Sequence, residues 1–227
     1  MSRIERLEKV LNKTSGNPYH DSKGKFTFSP SGVGKPNKGG IFDKSESQIK
    51  NEWDNIDDNV ELDKDTEKFL KTYYFGSWFF GNVQKIARQK NIDTMNSFEK
   101  KQATKTMETL DSLINKSSLS KNSVLFRGIT MTDNNASSIK EGSIISDSGF
   151  ASSSIDPNKA IIKRGRPETG GKRNIILMKI DAKKGQKALK SPINTEYEFV
   201  LPRNSKFKVK SVSEQNNNIR IVEVEYE

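Results

Sequence analysis

The chain reads as an α+β protein, with its helices first and its strands second. Apolar residues recur at helical spacing between residues 45 and 120, and short apolar or alternating runs bounded by Gly, Pro, Asn and Ser fill residues 123–226. The two patterns are segregated along the chain, and segregation is the mark of an α+β architecture.

Residues 1–13 place Ile4, Leu7, Val10 and Leu11 three and four apart, as in a short amphipathic helix. Residues 14–44 are rich in Gly, Ser, Pro, Asn and Lys and read as a linker or arm. The expected division is therefore an arm over 1–44 and one folded domain over 45–227. Residues 67–90 carry Phe69, Leu70, Tyr73, Tyr74, Trp78, Phe79 and Val83 at mostly helical spacing, and Gly76 and Gly81 predict a kink or break. Ser97 is the expected cap of a helix over 98–115 with Met107, Leu110 and Ile114 as its apolar stripe. Its capping box is left open by Lys100.

The strand candidates are 124–126, 144–145, 149–151, 174–180, 198–201, 207–212 and 219–226. One helix interrupts them. Asp156 is a good N-cap, Pro157 suits the first helical position, and Ala160-Ile161-Ile162 follow. No internal repeat is visible.

Composition narrows the chemistry. The 227 residues include no Cys and a single His, His20, so disulfides, thiolate catalysis and multi-histidine metal sites are excluded. Catalysis must come from carboxylates, hydroxyls, Arg, Lys or a bound cofactor, and no metal is expected. The net charge of +10 suits nucleic acid, an acidic protein or a phosphate-bearing ligand, and is equally a solubility surface. No run approaches the roughly 18 apolar residues of a membrane span, and no leader is visible. The expectation is a protein without membrane contact that is cytoplasmic or is carried out by a route that leaves no such signal.

Three segments stand out in the strand-rich half. Leu125-Phe126-Arg127-Gly128 ends an apolar strand in Arg, and a buried guanidinium needs a partner. Read alone, it is a strand end snorkelling to solvent before a turn glycine. Gly149-Phe150-Ala151-Ser152-Ser153-Ser154 puts Ser152 and Ser154 on one face, where they can order a carboxylate or sugar; read alone, it is a strand entering a helix cap. Glu196-Tyr197-Glu198, if extended, projects two carboxylates to one side just before Phe199-Val200-Leu201. Like charges so placed call for a cation, although a solvated strand start reads the same way in isolation.

Together these form an ordered set: Arg, then Ser-x-Ser, then Glu-x-Glu. The set resembles the arginine–serine–glutamate class of mono-ADP-ribosyltransferases, the binary-toxin and arginine-specific type. Phe126-Arg127-Gly128 matches its aromatic-Arg-Gly run. Phe150-Ala151-Ser152-Ser153-Ser154 matches its Ser-Thr-Ser motif with Ser in the middle place, and Glu196-Tyr197-Glu198 precedes the expected apolar strand and Leu201-Pro202. The likeness covers roughly residues 60–227.

The resemblance implies a split sandwich of two small, mainly antiparallel sheets around an NAD cleft. It implies NAD as substrate, with no metal, and nicotinamide as leaving group. Glu198 would be the essential carboxylate at the nicotinamide ribose, supporting positive charge in the transition state. Ser152 would orient Glu198, Arg127 would clamp a phosphate, and the Gly128 backbone would take the carboxamide. Glu196 would engage an acceptor arginine. Arg164 and Arg166, in the basic stretch 163–173, would reach phosphate, and that stretch lacks the aromatic often found there. Tyr74 (or Tyr73) would reach the NAD phosphates from its helix.

The implied activity is transfer of ADP-ribose from NAD to exposed arginine side chains of host proteins. The alternatives are the same fold acting on nucleic acid, motivated by the charge, or a non-enzymatic phage structural or nucleic-acid-binding protein. Asn17-Pro18-Tyr19-His20-Asp21 with Gly24-Lys25-Phe26 looks like a short motif of phage head-associated proteins and suggests a phage origin, with action in the host cytoplasm or association with the virion.

Overall fold

The structure, a computed structural model, describes residues 43–75, 79–162, 173–193, 195–215 and 219–227; the side chains of 132–134, 162, 173–174 and 214–215 are also undescribed. The expected helix over 1–13, nearly all of the arm, the phage-type motif, Arg164 and Arg166 lie outside the described residues.

Helix α1 (Glu46–Asp54) begins at a closed capping box between Ser45 and Gln48. Helix α2 (Lys64–Tyr73) is capped by Asp63, whose carboxylate accepts from the Asp65 and Thr66 amides. The expected broken helix over 67–90 is α2 followed by α3 (Phe80–Arg88), which stops at Gln89 in a left-handed conformation. Helix α4 (Ser97–Lys116) starts one residue earlier than expected. Its cap is Asn96, and the shift puts Glu99 at the third position. The box that Lys100 seemed to leave open is therefore closed: Glu99 N donates to Asn96 Oδ1 at 2.9 Å, and Asn96 N to Glu99 Oε2 at 2.9 Å.

The second half of the chain builds the sheet. Its elements are β1 (Ser123–Thr132), α5 (Asp133–Ser138), β2 (Ile144–Asp147), β3 (Ala151–Ser154), α6 (Pro157–Ile162), β4 (Arg173–Ala182), β5 (Leu189–Lys190), β6 (Glu198–Leu201), β7 (Ser205–Gln215) and β8 (Ile219–Tyr226). As expected, Asp156 caps α6, accepting from Asn158 N at 2.8 Å. The strands run in the order β2-β7-β8-β4-β1-β3-β6-β5, and all neighbours are antiparallel except β4 and β8.

The two small sheets expected from the motifs are joined into one mixed sheet of eight strands. Strand β1 is the junction. It pairs with β4 along its whole length, from Ser123↔Ala182 to Thr132↔Arg173, but meets β3 only at Phe126↔Ser154. Beyond that pair the strands part, and a cleft opens.

Alternation along the strands gives each face its own core. Leu125, Ile176, Met178, Ile180, Val222 and Val224 join Trp53 of α1 on one side. Phe126, Leu177 and Ile221 pack against Ala160 and Ile161 of α6 on the other. Helices α2–α4 form a further cluster that reaches the sheet through Phe150, Leu189 and Val200.

Candidate active site

The cleft between β1 and β3 is lined by Phe126, Gly128, Ser152, Ser153, Ser154, Lys159, Ala160, Glu196 and Glu198. It encloses about 340 Å³, counting space open to solvent. The three segments singled out in the sequence thus meet in one place, although they lie as far apart as residues 126 and 198.

Glu198 is the first residue of β6 and is 5% exposed. A carboxylate so buried needs donors, and the Ser152 hydroxyl of β3 donates to its Oε1. The β3–β6 ladder sets Ser152 opposite Val200 and Ser154 opposite Glu198. Ser154 has a separate task, since its Oγ donates to the Glu196 carbonyl at 2.7 Å and accepts from Asp156 N at 3.0 Å. One serine of the pair fixes a carboxylate, and the other fixes the backbone two residues before it.

Glu196 and Glu198 share the cleft for a reason other than the expected strand alternation. Strand β6 begins only at Glu198, and Tyr197 stands at φ 50°, in the left-handed region. That conformation costs a non-glycine residue about 1–2 kcal/mol. A sharp turn, not an extended segment, brings the two carboxylates to one opening. The Tyr197 carbonyl accepts from Ile155 N at 3.1 Å and its ring is buried.

Arg127 lies on the face of β1 opposite Phe126 and is 3% exposed. Its Nη1 donates to the Ser152 carbonyl at 2.8 Å and its Nη2 to Asp147 Oδ2 at 2.5 Å. Asp147 also receives Arg88 of α3, with Nε–Oδ1 and Nη2–Oδ2 both 3.0 Å. Burial pushes the Asp147 carboxyl up, but the Arg88 hydrogen bonds, the Arg127 charge and the Gly149 amide outweigh that and hold it below the usual aspartate value. In this structure Arg127 ties β1 to the strand that carries Ser152, and it is not among the residues that line the cleft.

Gly128 does line the cleft, but its lack of a side chain has another cause than close approach of a ligand. A Cβ there would stand 2.2 Å from the Ala160 carbonyl oxygen, so the glycine lets α6 lie on β1. Tyr74, expected at the NAD phosphates, is 1% exposed. It packs edge-on to Phe75, Phe80 and Phe150 at centroid distances of 5.1, 5.2 and 6.0 Å, and is a core aromatic of the helical cluster. Lys159, Asp147 and Arg88 were not anticipated from the sequence. Lys159 reads there as one more residue of a helix, and only the packing of α6 over β1 carries it to the cleft. Among the described residues no three His, Asp or Glu side chains converge as metal ligands, and no helix is long and apolar enough to cross a membrane.

Residues 84–225, well over half of the chain, match the model of the ADP-ribosyltransferase exoenzyme family. The chain belongs to that family. As an ADP-ribosyltransferase it shares its fold with several solved structures of low identity. The Vis toxin from Vibrio splendidus is 18% identical, with a TM-score of 0.63 over 81% of this chain and 87% of that one. A second Vis structure, in complex with agmatine, is 17% identical with a TM-score of 0.65 over 85% and 88%. The C3 exoenzyme of Clostridium limosum is 20% identical, with a TM-score of 0.51 over 74% and 87%. No curated protein matches the chain by sequence.

NAD is the substrate of the family's reaction. NAD supplies a glycosidic carbon attached to a cationic leaving group, so that neither metal nor strong base is needed to break the bond. The chain offers one buried, serine-held carboxylate beside a second carboxylate, with Lys159 at the rim.

Proposed function

We propose that the protein is a mono-ADP-ribosyltransferase that transfers ADP-ribose from NAD to arginine side chains of host proteins and releases nicotinamide. The observation that carries the proposal is the paired placement of Glu196 and Glu198 at one cleft, with the Ser152 hydroxyl donating to Glu198. Glu198, fixed and buried, suits stabilisation of positive charge developing on the ribose. Glu196 is the more exposed of the two and suits an incoming guanidinium, which a carboxylate orients bidentately and relieves of a proton. The occurrence of Vis in complex with agmatine, itself a guanidine, supports the same acceptor class. We further read the chain as phage-encoded and acting in the host cytoplasm, on the motif at residues 17–26.

The test is a pair of variants assayed with labelled NAD, with and without agmatine or a host lysate. Glu198→Ala loses both NAD hydrolysis and transfer. Glu196→Gln loses transfer to guanidine acceptors and retains hydrolysis. Loss of both activities in Glu196→Gln removes the acceptor role, and label appearing on RNA instead of protein removes the arginine assignment.

A further inference from the structure

Tyr197 is an unusual residue for its backbone. The other non-glycine residues with positive φ among those described are Asn59, Gln89, Asn91 and Asn204, three of them asparagine, the type that tolerates this region best. A bulky aromatic in the left-handed region persists only where surrounding packing over-determines it. Here the packing comes from α1. The Tyr197 ring is 7% exposed and lies edge-on to Trp53, with centroids 6.0 Å apart and planes at 64°.

Trp53 is itself fixed. It packs edge-on to Phe199 at 4.9 Å, and Lys190 Nζ lies 4.6 Å from its ring centroid. The same ammonium donates to the Trp53 carbonyl at 2.8 Å and the Ile56 carbonyl at 2.6 Å, closing the end of α1 onto β5. Helix α1 precedes the region matched by the family model, which begins at residue 84.

We infer that α1 is a brace for the Glu-x-Glu turn: Trp53 holds the Tyr197 ring, and Tyr197 holds its left-handed backbone, which fixes the offset of Glu196 from Glu198. Trp53 and Tyr197 are then positioning residues for acceptor use. Glu198 does not depend on the brace in the same way. Its side chain is held by Ser152 and its backbone by the ladder to Ser154. The inference rests on the reading of Glu196 as the acceptor carboxylate.

The test compares agmatine transfer with acceptor-free NAD hydrolysis in Trp53→Leu, Trp53→Phe and Tyr197→Val. Trp53→Leu and Tyr197→Val, the latter a β-branched residue that disfavours left-handed φ, are expected to lower kcat/KM for agmatine at least tenfold while hydrolysis stays within threefold, and Trp53→Phe to recover most of the loss. Parallel loss of both activities, or unchanged transfer in a folded variant, overturns the brace. Should Trp53→Leu fail to fold, Tyr197→Val decides alone, because it leaves α1 intact. Glu196→Gln in the same series separates the two ideas. If that variant keeps agmatine transfer, the acceptor reading fails. The brace is then judged by the intraresidue amide-to-Hα NOE of Tyr197, which must be strong, as left-handed φ requires, in the wild type and weaken in Trp53→Leu. An NOE unchanged in Trp53→Leu overturns the brace.

Discussion

Glu198 is a buried carboxylate whose position depends on a neighbouring hydroxyl. The Ser152 hydroxyl donates to Glu198 Oε1, and a hydrogen bond to a carboxylate has a typical worth of about 1.5–3 kcal/mol. Ser152→Ala is therefore expected to lower kcat by roughly tenfold to a hundredfold in hydrolysis and transfer alike. The KM for NAD should change little, because the carboxylate is still present but no longer aimed; steady-state kinetics with both readouts checks this. Asp147 acts at the same scale through charge. Its folded-state pKa lies below the ordinary 3.8, so its contribution to stability is complete above that value and is lost as pH falls through the lower folded value. Urea melts should give a wild-type advantage over Asp147→Asn that is flat at neutral pH and shrinks below about pH 4.

At the scale of elements, α6 is the piece whose placement makes the cleft. It is short, and its first turn is capped by Asp156. It can lie against β1 only because residue 128 has no Cβ, which would otherwise meet the Ala160 carbonyl oxygen at 2.2 Å. Backbone cannot yield as a side-chain tip can, so Gly128→Ala must push the helix outward. The expected cost is about 1–3 kcal/mol of stability, measured by denaturant unfolding. Transfer activity should fall further than stability alone accounts for, since Lys159 and Ala160 move with the helix. On the other side, Arg203 pairs with Asp111 of α4, with Nε–Oδ1 at 3.0 Å. This anchors the turn after β6 to the longest helix, so the far end of the Glu198 strand is fixed as well.

Across the whole molecule the sheet has one weak seam. Strands β1 and β3 share a single register pair, Phe126↔Ser154, and the Arg127–Ser152 carbonyl bond is a second tie across the same gap. The outer strands β3, β6 and β5 are thus joined to the larger part of the sheet by little backbone pairing. Local opening follows such boundaries. Hydrogen exchange should show β3 and β6 amides opening at lower free energy than those of β1, β4 and β8. Arg127→Lys should widen the difference, because an ammonium cannot reach Asp147 and the Ser152 carbonyl together with a guanidinium's planar fork. Equal exchange across the seam in the variant would remove this role for Arg127.

The sequence by itself determined the α+β order, most strand positions, the cap of α6 and the three segments whose residues Gly128, Ser152, Glu196 and Glu198 line one cleft. Each of these has a local signature in spacing, capping or alternation, and the three motifs gained weight from their order. It could not determine how the sites are held, because that depends on residues distant along the chain. Trp53 reaches Tyr197, Arg88 reaches Asp147, and Ala160 fills the space over Gly128 only after the chain has folded. Several sequence expectations changed for this reason. Tyr74 is a core aromatic because helix packing turned it inward. The two glutamates share a cleft through a left-handed Tyr197, a conformation that no local preference of tyrosine predicts and that tertiary packing imposes.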